Sequence, residues 1–190
     1  MHFTTISVKR SVELIAAPKK NGMKVTCDVA AHHLLLTHES LTGFDSHYKV
    51  KPPLRTHADV DALRDGLKDG TIDAIVSQHT PHEVEFKNVE FEIAEYGLIG
   101  LQTALPNALQ AGLDIALIVQ KMAVNPRRIL NIAPVLIDEE EPANLTIIDA
   151  GKEWNYNKLN NQSRSVNSPF LGQPLTGAVI LTCNNTQVYK

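Results

Sequence analysis

Hydrophobic and polar positions along the first 130 residues predict strands that alternate with helices. Short apolar runs bounded by turn residues predict strands, and apolar residues three or four positions apart predict helices. The strands are expected at residues 2–7, 24–30 and 72–77, and the helices at 11–20, 56–68, 97–111, 114–124 and 125–130. Segment 32–37 is expected to be a loop or short helix, and segment 45–55 to be irregular. This alternation favours parallel strands covered by helices, an α/β fold.

The pattern changes after Leu136. Residues 144–149 read as a strand, and residues 154–168 are polar and read as a surface loop. Residues 175–182 and 186–189 read as a hairpin whose turn contains Asn184 and Asn185, because asparagine tolerates positive φ. We therefore predict two parts, an α/β part at 1–135 and a small β-domain at 136–190.

Composition is ordinary for a globular protein and excludes several partners. The 190 residues are 43% hydrophobic and 21% charged, with a net charge of −3. Because no basic stripe is present, we expect no nucleic-acid partner and no anionic membrane surface. No apolar run approaches the roughly 20 residues that a membrane helix needs. Cys27 and Cys183 fit no zinc spacing, so we predict two buried thiols in a cytoplasmic protein.

The candidate site follows the third predicted strand, where the chain reads Gln78-His79-Thr80-Pro81-His82. In parallel β/α folds, residues at the carboxyl ends of strands carry the chemistry. His79 and His82 could form a metal pair, although Pro81 breaks helical spacing and no third ligand is evident. Capping or packing is the preferred interpretation of His32-His33, with metal binding as its alternative. A solvated helix face is preferred for Arg127-Arg128, with phosphate binding as its alternative.

Several stretches together resemble the dihydroorotases of the amidohydrolase superfamily. They are residues 24–26, 32–37, 52–55, 66–75, 97–106, 125–126, 144–149 and 168–172. The resemblance implies the C-terminal portion of a TIM-like (β/α)8 barrel, about strands 6 to 8, plus part of a small β-domain. Because Met1 stands almost directly before a strand, we expect the first half of the barrel to lie outside this sequence.

The resemblance also implies an activity, the reversible cyclisation of carbamoyl-aspartate by a zinc-bound hydroxide and an aspartate that shuttles the proton. Three positions depart from the family pattern: Thr5 replaces a metal-binding histidine, Gln78 replaces the catalytic aspartate, and Lys51 replaces a substrate-binding asparagine. Other positions match it. His82 corresponds to a histidine that contacts the substrate carboxylate, and Tyr96-Gly97 to an aromatic-glycine pair whose backbone faces the substrate.

These departures predict a degenerate dihydroorotase with no cofactor held by this segment. The expected role is a structural or regulatory partner of aspartate carbamoyltransferase. The expected binding partner is that enzyme or the missing N-terminal half of the barrel, and an oligomer is expected. The alternative is an active enzyme that binds zinc through ligands upstream of this sequence. A third possibility is a sensing module that binds dihydroorotate-like acids through His82 and the Tyr96-Gly97 backbone.

Overall fold

A three-stranded parallel sheet forms the centre of the first part of the molecule. The structure is a computed structural model that describes residues 1–139 and 141–189. The strands are β1 (His2–Phe3), β2 (Thr26–Ala30) and β3 (Ala74–Val76), in the order β1-β2-β3. Each predicted strand is therefore confirmed but is shorter than its apolar run. Parallel pairing places the carboxyl ends of all three strands at the same end of the sheet.

Six α-helices accompany these strands in the described part of the chain. They are α1 (Lys9–Lys20), α2 (His57–Lys68), α3 (Val84–Lys87), α4 (Ala104–Gln110), α5 (Ile115–Val119) and α6 (Asn125–Ile129). A π-helical turn, Gln120–Val124, joins α5 to α6, and 3₁₀ turns occur at Ala31–Leu34, His38–Leu41 and Ser46–Tyr48. Helix α2 begins with a capping box, in which the side chains of Thr56 and Asp59 each bond the other residue's backbone N–H.

The main hydrophobic core lies between the sheet and helices α1, α2 and α4. Leu63 and Leu67 of α2 pack against it and are 1% and 0% exposed. Val29 of β2 and Ile75 of β3 contribute from the sheet. Burying each such aliphatic side chain stabilises the fold by about 1.5–3 kcal/mol, so this layer holds the strand ends in place.

The predicted helix at 97–111 is wrong over its first seven residues. Helix α4 begins only at Ala104, and Leu98 instead forms a parallel bridge with His79. Gly97 has a φ of +127°, which no helix allows. The short helix α3 was not predicted at all. Tertiary pairing to the segment after β3 therefore overrides the apolar periodicity of residues 97–103.

The second part of the chain forms an antiparallel sheet of β4 (Asn144–Asn155), β5 (Pro174–Asn184) and β6 (Gln187–Tyr189). The predicted strand and hairpin are confirmed, with Asn185 at a φ of +54° in the turn. The expected loop start at Trp154 is wrong, because β4 continues through this residue. Helix α4 contacts β5, so the division at residue 135 remains a prediction.

The two cysteines differ in how deeply they are buried. Cys27 is buried as predicted, whereas Cys183, in β5 between β4 and β6, is only half-buried, so that prediction is wrong. Among the residues described, no helix is long and apolar enough to cross a membrane.

Candidate functional site

The carboxyl ends of β1 and β3 open onto one cleft of about 690 Å³. Thr5 follows β1 and Gln78 follows β3, and the loop before α2 brings Lys51 to the same surface. The lining residues are Thr4, Thr5, Lys51, Pro52, Pro53, Val76 and Gln78. The three positions that were predicted to depart from the family pattern, far apart in sequence, therefore lie on the same cleft.

Gln78 is held against the loop that carries Lys51. Its side-chain Nε2 donates a hydrogen bond of 2.9 Å to the Lys51 backbone carbonyl. Its backbone has a φ of +45°, in the left-handed region, as the chain turns sharply at the end of β3. A carboxylate could not donate this bond, so the contact depends on the carboxamide.

The side chains that line the cleft do not fit a zinc ion. Zinc prefers thiolate, imidazole and carboxylate ligands, whereas Thr5 offers a hydroxyl and Gln78 a carboxamide. Lys51 belongs to the same lining, and its positive charge would repel a cation. Within residues 1–139 and 141–189, no group of three or more His, Cys, Asp or Glu residues is arranged to hold a metal ion.

His79 and His82 make separate contacts. His79 Nδ1 accepts a bond of 3.3 Å from the Leu101 backbone N–H, and His82 Nε2 lies 3.0 Å from the Tyr96 carbonyl. The second contact requires a proton on Nε2, because a carbonyl can only accept. The structure thus gives each ring a backbone partner of its own.

His82, Tyr96 and Gly97 form a second group next to the cleft but do not line it. The Gly97 N–H donates to the Lys49 carbonyl at 2.9 Å, two residues from Lys51. The Thr80 N–H donates to the Leu98 carbonyl at 2.8 Å, two residues from Gln78. Backbone bonds therefore join this group to both sides of the cleft.

Gly97 occupies a position that only glycine fits. A Cβ atom there would lie 2.6 Å from the Cβ atom of Thr80, closer than carbon atoms pack. The φ of +127° adds backbone strain for any side chain other than hydrogen. The close approach keeps the Gly97 backbone against the segment that follows β3.

Three polar residues that the sequence does not mark as functional support this group. Asn167, which is 2% exposed, donates through Nδ2 to the Thr80 carbonyl at 2.9 Å and to the Gly97 carbonyl at 3.3 Å. Its side-chain Oδ1 also accepts a bond of 3.2 Å from the His82 N–H. Lys49 and Lys87 are the other two. Asn167 lies in a polar segment that predicts solvent exposure, and the sequence carries no signal for its burial.

The His32-His33 pair is buried beside the cleft loop, as the packing interpretation predicted. Both residues are 1% exposed, and their ring centroids are 4.5 Å apart. His33 Nε2 lies 3.0 Å from the Pro52 carbonyl. Burial lowers the pKa of His33 to about 4 and holds the pKa of His32 well below its usual value. Both rings are therefore neutral at pH 7.

Comparison with solved structures defines the class of fold. An L-hydantoinase (dihydropyrimidinase) from Arthrobacter aurescens superimposes with a TM-score of 0.87 and 29% identity, over 97% of this chain and 43% of its own. The fold is thus part of an amidohydrolase-type TIM barrel with a small β-domain, which confirms the predicted fold class. The chain accounts for less than half of that structure.

Sequence comparison names the relatives within this class. A dihydroorotase from Elusimicrobium minutum is 44% identical over 96% of this chain, and one from Caldicellulosiruptor saccharolyticus is 43% identical over all of it. The predicted resemblance is confirmed: along its whole length the chain is homologous to dihydroorotases. It spans 43% and 45% of these two relatives. No protein-family model matches it.

Proposed function

We propose that the protein is a dihydroorotase-like component of pyrimidine biosynthesis that binds an acidic ligand without catalysing ring closure. One observation carries this proposal. Thr5, Lys51 and Gln78 meet on the cleft at the strand ends, which is where the chemistry of β/α barrels takes place.

The side-chain chemistry supports loss of catalysis. The Gln78 carboxamide cannot accept a proton at neutral pH, and loss of a general acid-base costs about 10²–10⁴-fold in rate. Thr5 offers a weak metal ligand, and Lys51 adds a positive charge nearby. These side chains therefore supply neither a strong metal ligand nor a general base for the hydrolytic mechanism.

The same cleft supports binding of an acid. Lys51, an exposed residue, is the charged residue in its lining and would attract a carboxylate. The neighbouring His82 ring, whose Nε2 proton is donated to the Tyr96 carbonyl, and the Tyr96-Gly97 segment would pack beside the rest of a ring-shaped ligand. Orotate, a planar cyclic acid, is the probe for this site.

Metal content and turnover test the loss of catalysis. We expect purified protein to retain less than about a tenth of a zinc ion per chain and to cyclise carbamoyl-aspartate at least about 10⁴-fold more slowly than the Elusimicrobium minutum relative. Both proteins should be measured in parallel by elemental analysis and by a dihydroorotate assay. Stoichiometric zinc with normal turnover would reject the proposal in favour of an active enzyme that binds zinc through upstream ligands.

Restoring the lost groups provides the matched control. If upstream ligands exist, the double variant Thr5→His with Gln78→Asp should raise zinc occupancy, and each single variant should raise it less. A double variant with unchanged zinc would mean that the metal site differs from the family pattern at further positions.

The outer strands of the parallel sheet support a proposal about binding partners. Within the described residues, β1 and β3 each pair on one side only, and parallel strands are normally covered on all sides. The relatives are more than twice as long as this chain, which supports a further barrel segment against these edges. Aspartate carbamoyltransferase is the proposed partner of the assembled barrel.

Native mass spectrometry tests these partners. We expect the protein alone to give an oligomer and, when mixed with aspartate carbamoyltransferase, a species whose mass is the sum of both. A monomer that is unchanged by the mixture would contradict the proposed assembly. The zinc and turnover measurements do not depend on this result.

A further inference from the structure

Two lysines next to the site are buried, which is unusual for this residue. Lys49 is 7% exposed and Lys87 is 2% exposed. Burying an ammonium group is costly unless hydrogen bonds replace its water. Both lysines direct their bonds to one stretch of chain, residues 91–97, which we call the lysine-held segment.

Lys49 contacts the beginning of the lysine-held segment. Its Nζ atom donates to the carbonyls of Phe91 and Glu92 at 2.8 and 2.9 Å. The same atom lies 4.6 Å from the centre of the Tyr96 ring, at the other end of the segment. A cation at this distance is attracted to the face of an aromatic ring. One ammonium group therefore joins both ends of the segment.

Lys87 contacts the end of the segment. Its Nζ atom donates to the carbonyls of Glu95 and Gly97 at 2.8 and 3.1 Å. Its own backbone carbonyl accepts a bond from the Ser46 hydroxyl, which holds the residue from the opposite side. Burial, followed by the nearby charge of Lys49, lowers the pKa of Lys87 to about 8.

Bonds from the N–H groups of Ile93, Ala94 and Glu95 to the carbonyls of Glu90 and Phe86, and a bond from Asn167 to the Gly97 carbonyl, also hold the lysine-held segment. It contains no helix or strand, and four of its carbonyls accept bonds from the two lysines. The Tyr96 carbonyl is bound by His82, and the Gly97 N–H by the Lys49 carbonyl. Movement of the segment would therefore shift the His82 ring and the Gly97 backbone together.

We propose that Lys49 and Lys87 are positioning residues, which hold the lysine-held segment so that the His82 ring and the Tyr96-Gly97 segment keep their places beside the ligand cleft. They act through the segment and do not line the cleft themselves. The proposal rests on the proposed function for the ligand, but the local order that it requires can be measured without one.

Amide hydrogen exchange and orotate binding test the proposal together. Lys87→Met and Lys49→Met remove the ammonium group and keep an apolar side chain of similar length. Lys68→Met, on the exposed end of α2, is the matched control. We expect each of the first two variants to speed exchange in residues 91–97 at least about 10-fold, with β2 and α2 unchanged, and to weaken orotate binding about 10-fold or more.

Every other combination of exchange and binding results either supports or overturns the positioning role of the two lysines. Folded variants with unchanged exchange in residues 91–97 would overturn the proposal, and so would faster exchange with wild-type orotate affinity. Global unfolding of both variants beside a folded Lys68→Met control would also overturn it, because the lysines would then hold the whole fold. Faster local exchange in a protein whose wild type binds no orotate would support positioning and contradict the proposed ligand.

Discussion

Acidification from pH 6.5 to pH 4 is expected to remove about 3 kcal/mol of unfolding free energy through His33 alone. The pKa of His33 is about 4 in the folded protein and about 6.5 in the unfolded chain. Between these values the unfolded chain binds a proton that the folded protein does not. The contribution of His33 to the free energy of unfolding is therefore complete above pH 6.5 and is lost as the pH falls toward 4.

The cause of the low pKa is burial, which outweighs the bond to Pro52. The contact from His33 Nε2 to the Pro52 carbonyl favours the protonated ring, but the desolvation penalty is larger. His32 adds to the effect, because its pKa is also lowered and neither ring nitrogen has a hydrogen-bond partner within the described residues. The loss through both rings together is therefore expected to exceed the loss through His33 alone.

Urea unfolding at pH 7, 5.5 and 4 measures this loss. His33→Gln keeps a donor for the Pro52 carbonyl and does not titrate, so its stability should depend less on pH. His57→Gln is the control, since the His57 side chain is 70% exposed. Equal wild-type stability at pH 7 and pH 4 would contradict the prediction, as would an equal slope of stability against pH in all three proteins.

The parallel sheet was predictable because local signals coincide with it. Apolar runs bounded by turn residues mark β2 and β3, and a capping threonine and an apolar stripe mark α2. The β5–β6 hairpin follows from its two asparagines in the same way. In each case the residues that specify the element lie within it.

The segment around Gly97 was not predictable for the opposite reason. Its conformation depends on pairing with His79, on bonds from Asn167 and on two buried lysines, which all lie elsewhere in the chain. Lysine and asparagine in polar sequence normally indicate solvent exposure. Their burial results from tertiary contacts that no local periodicity encodes.

The candidate site was predictable in part. Comparison with the family pattern selected Thr5, Lys51 and Gln78, and the structure brings all three to one cleft. The bond from the Gln78 side chain to the Lys51 carbonyl was not foreseen, because it requires the geometry of two loops. His82 and Tyr96 were expected at a single site with these residues, but they form a neighbouring group.

Replacement of Gly97 by alanine is expected to destabilise the protein by about 3 kcal/mol or more. The new Cβ atom would lie 2.6 Å from Thr80 Cβ, and the φ of +127° strains any residue with a side chain. Backbone strain contributes about 1–3 kcal/mol and overpacking a similar amount. Urea unfolding of Gly97→Ala at pH 7 measures the sum.

The variant Gly70→Ala separates the cost of backbone strain from the cost of overpacking. Gly70 has a φ of +87°, and nothing lies within 4 Å of the position that a Cβ atom would take. Its replacement adds strain without contact and should cost about 1 kcal/mol. Thr80→Gly combined with Gly97→Ala should recover the contact part, because it removes the opposing Cβ atom. If Gly97→Ala costs no more than Gly70→Ala, Thr80 moves aside freely, and close packing does not hold the Gly97 backbone at the site.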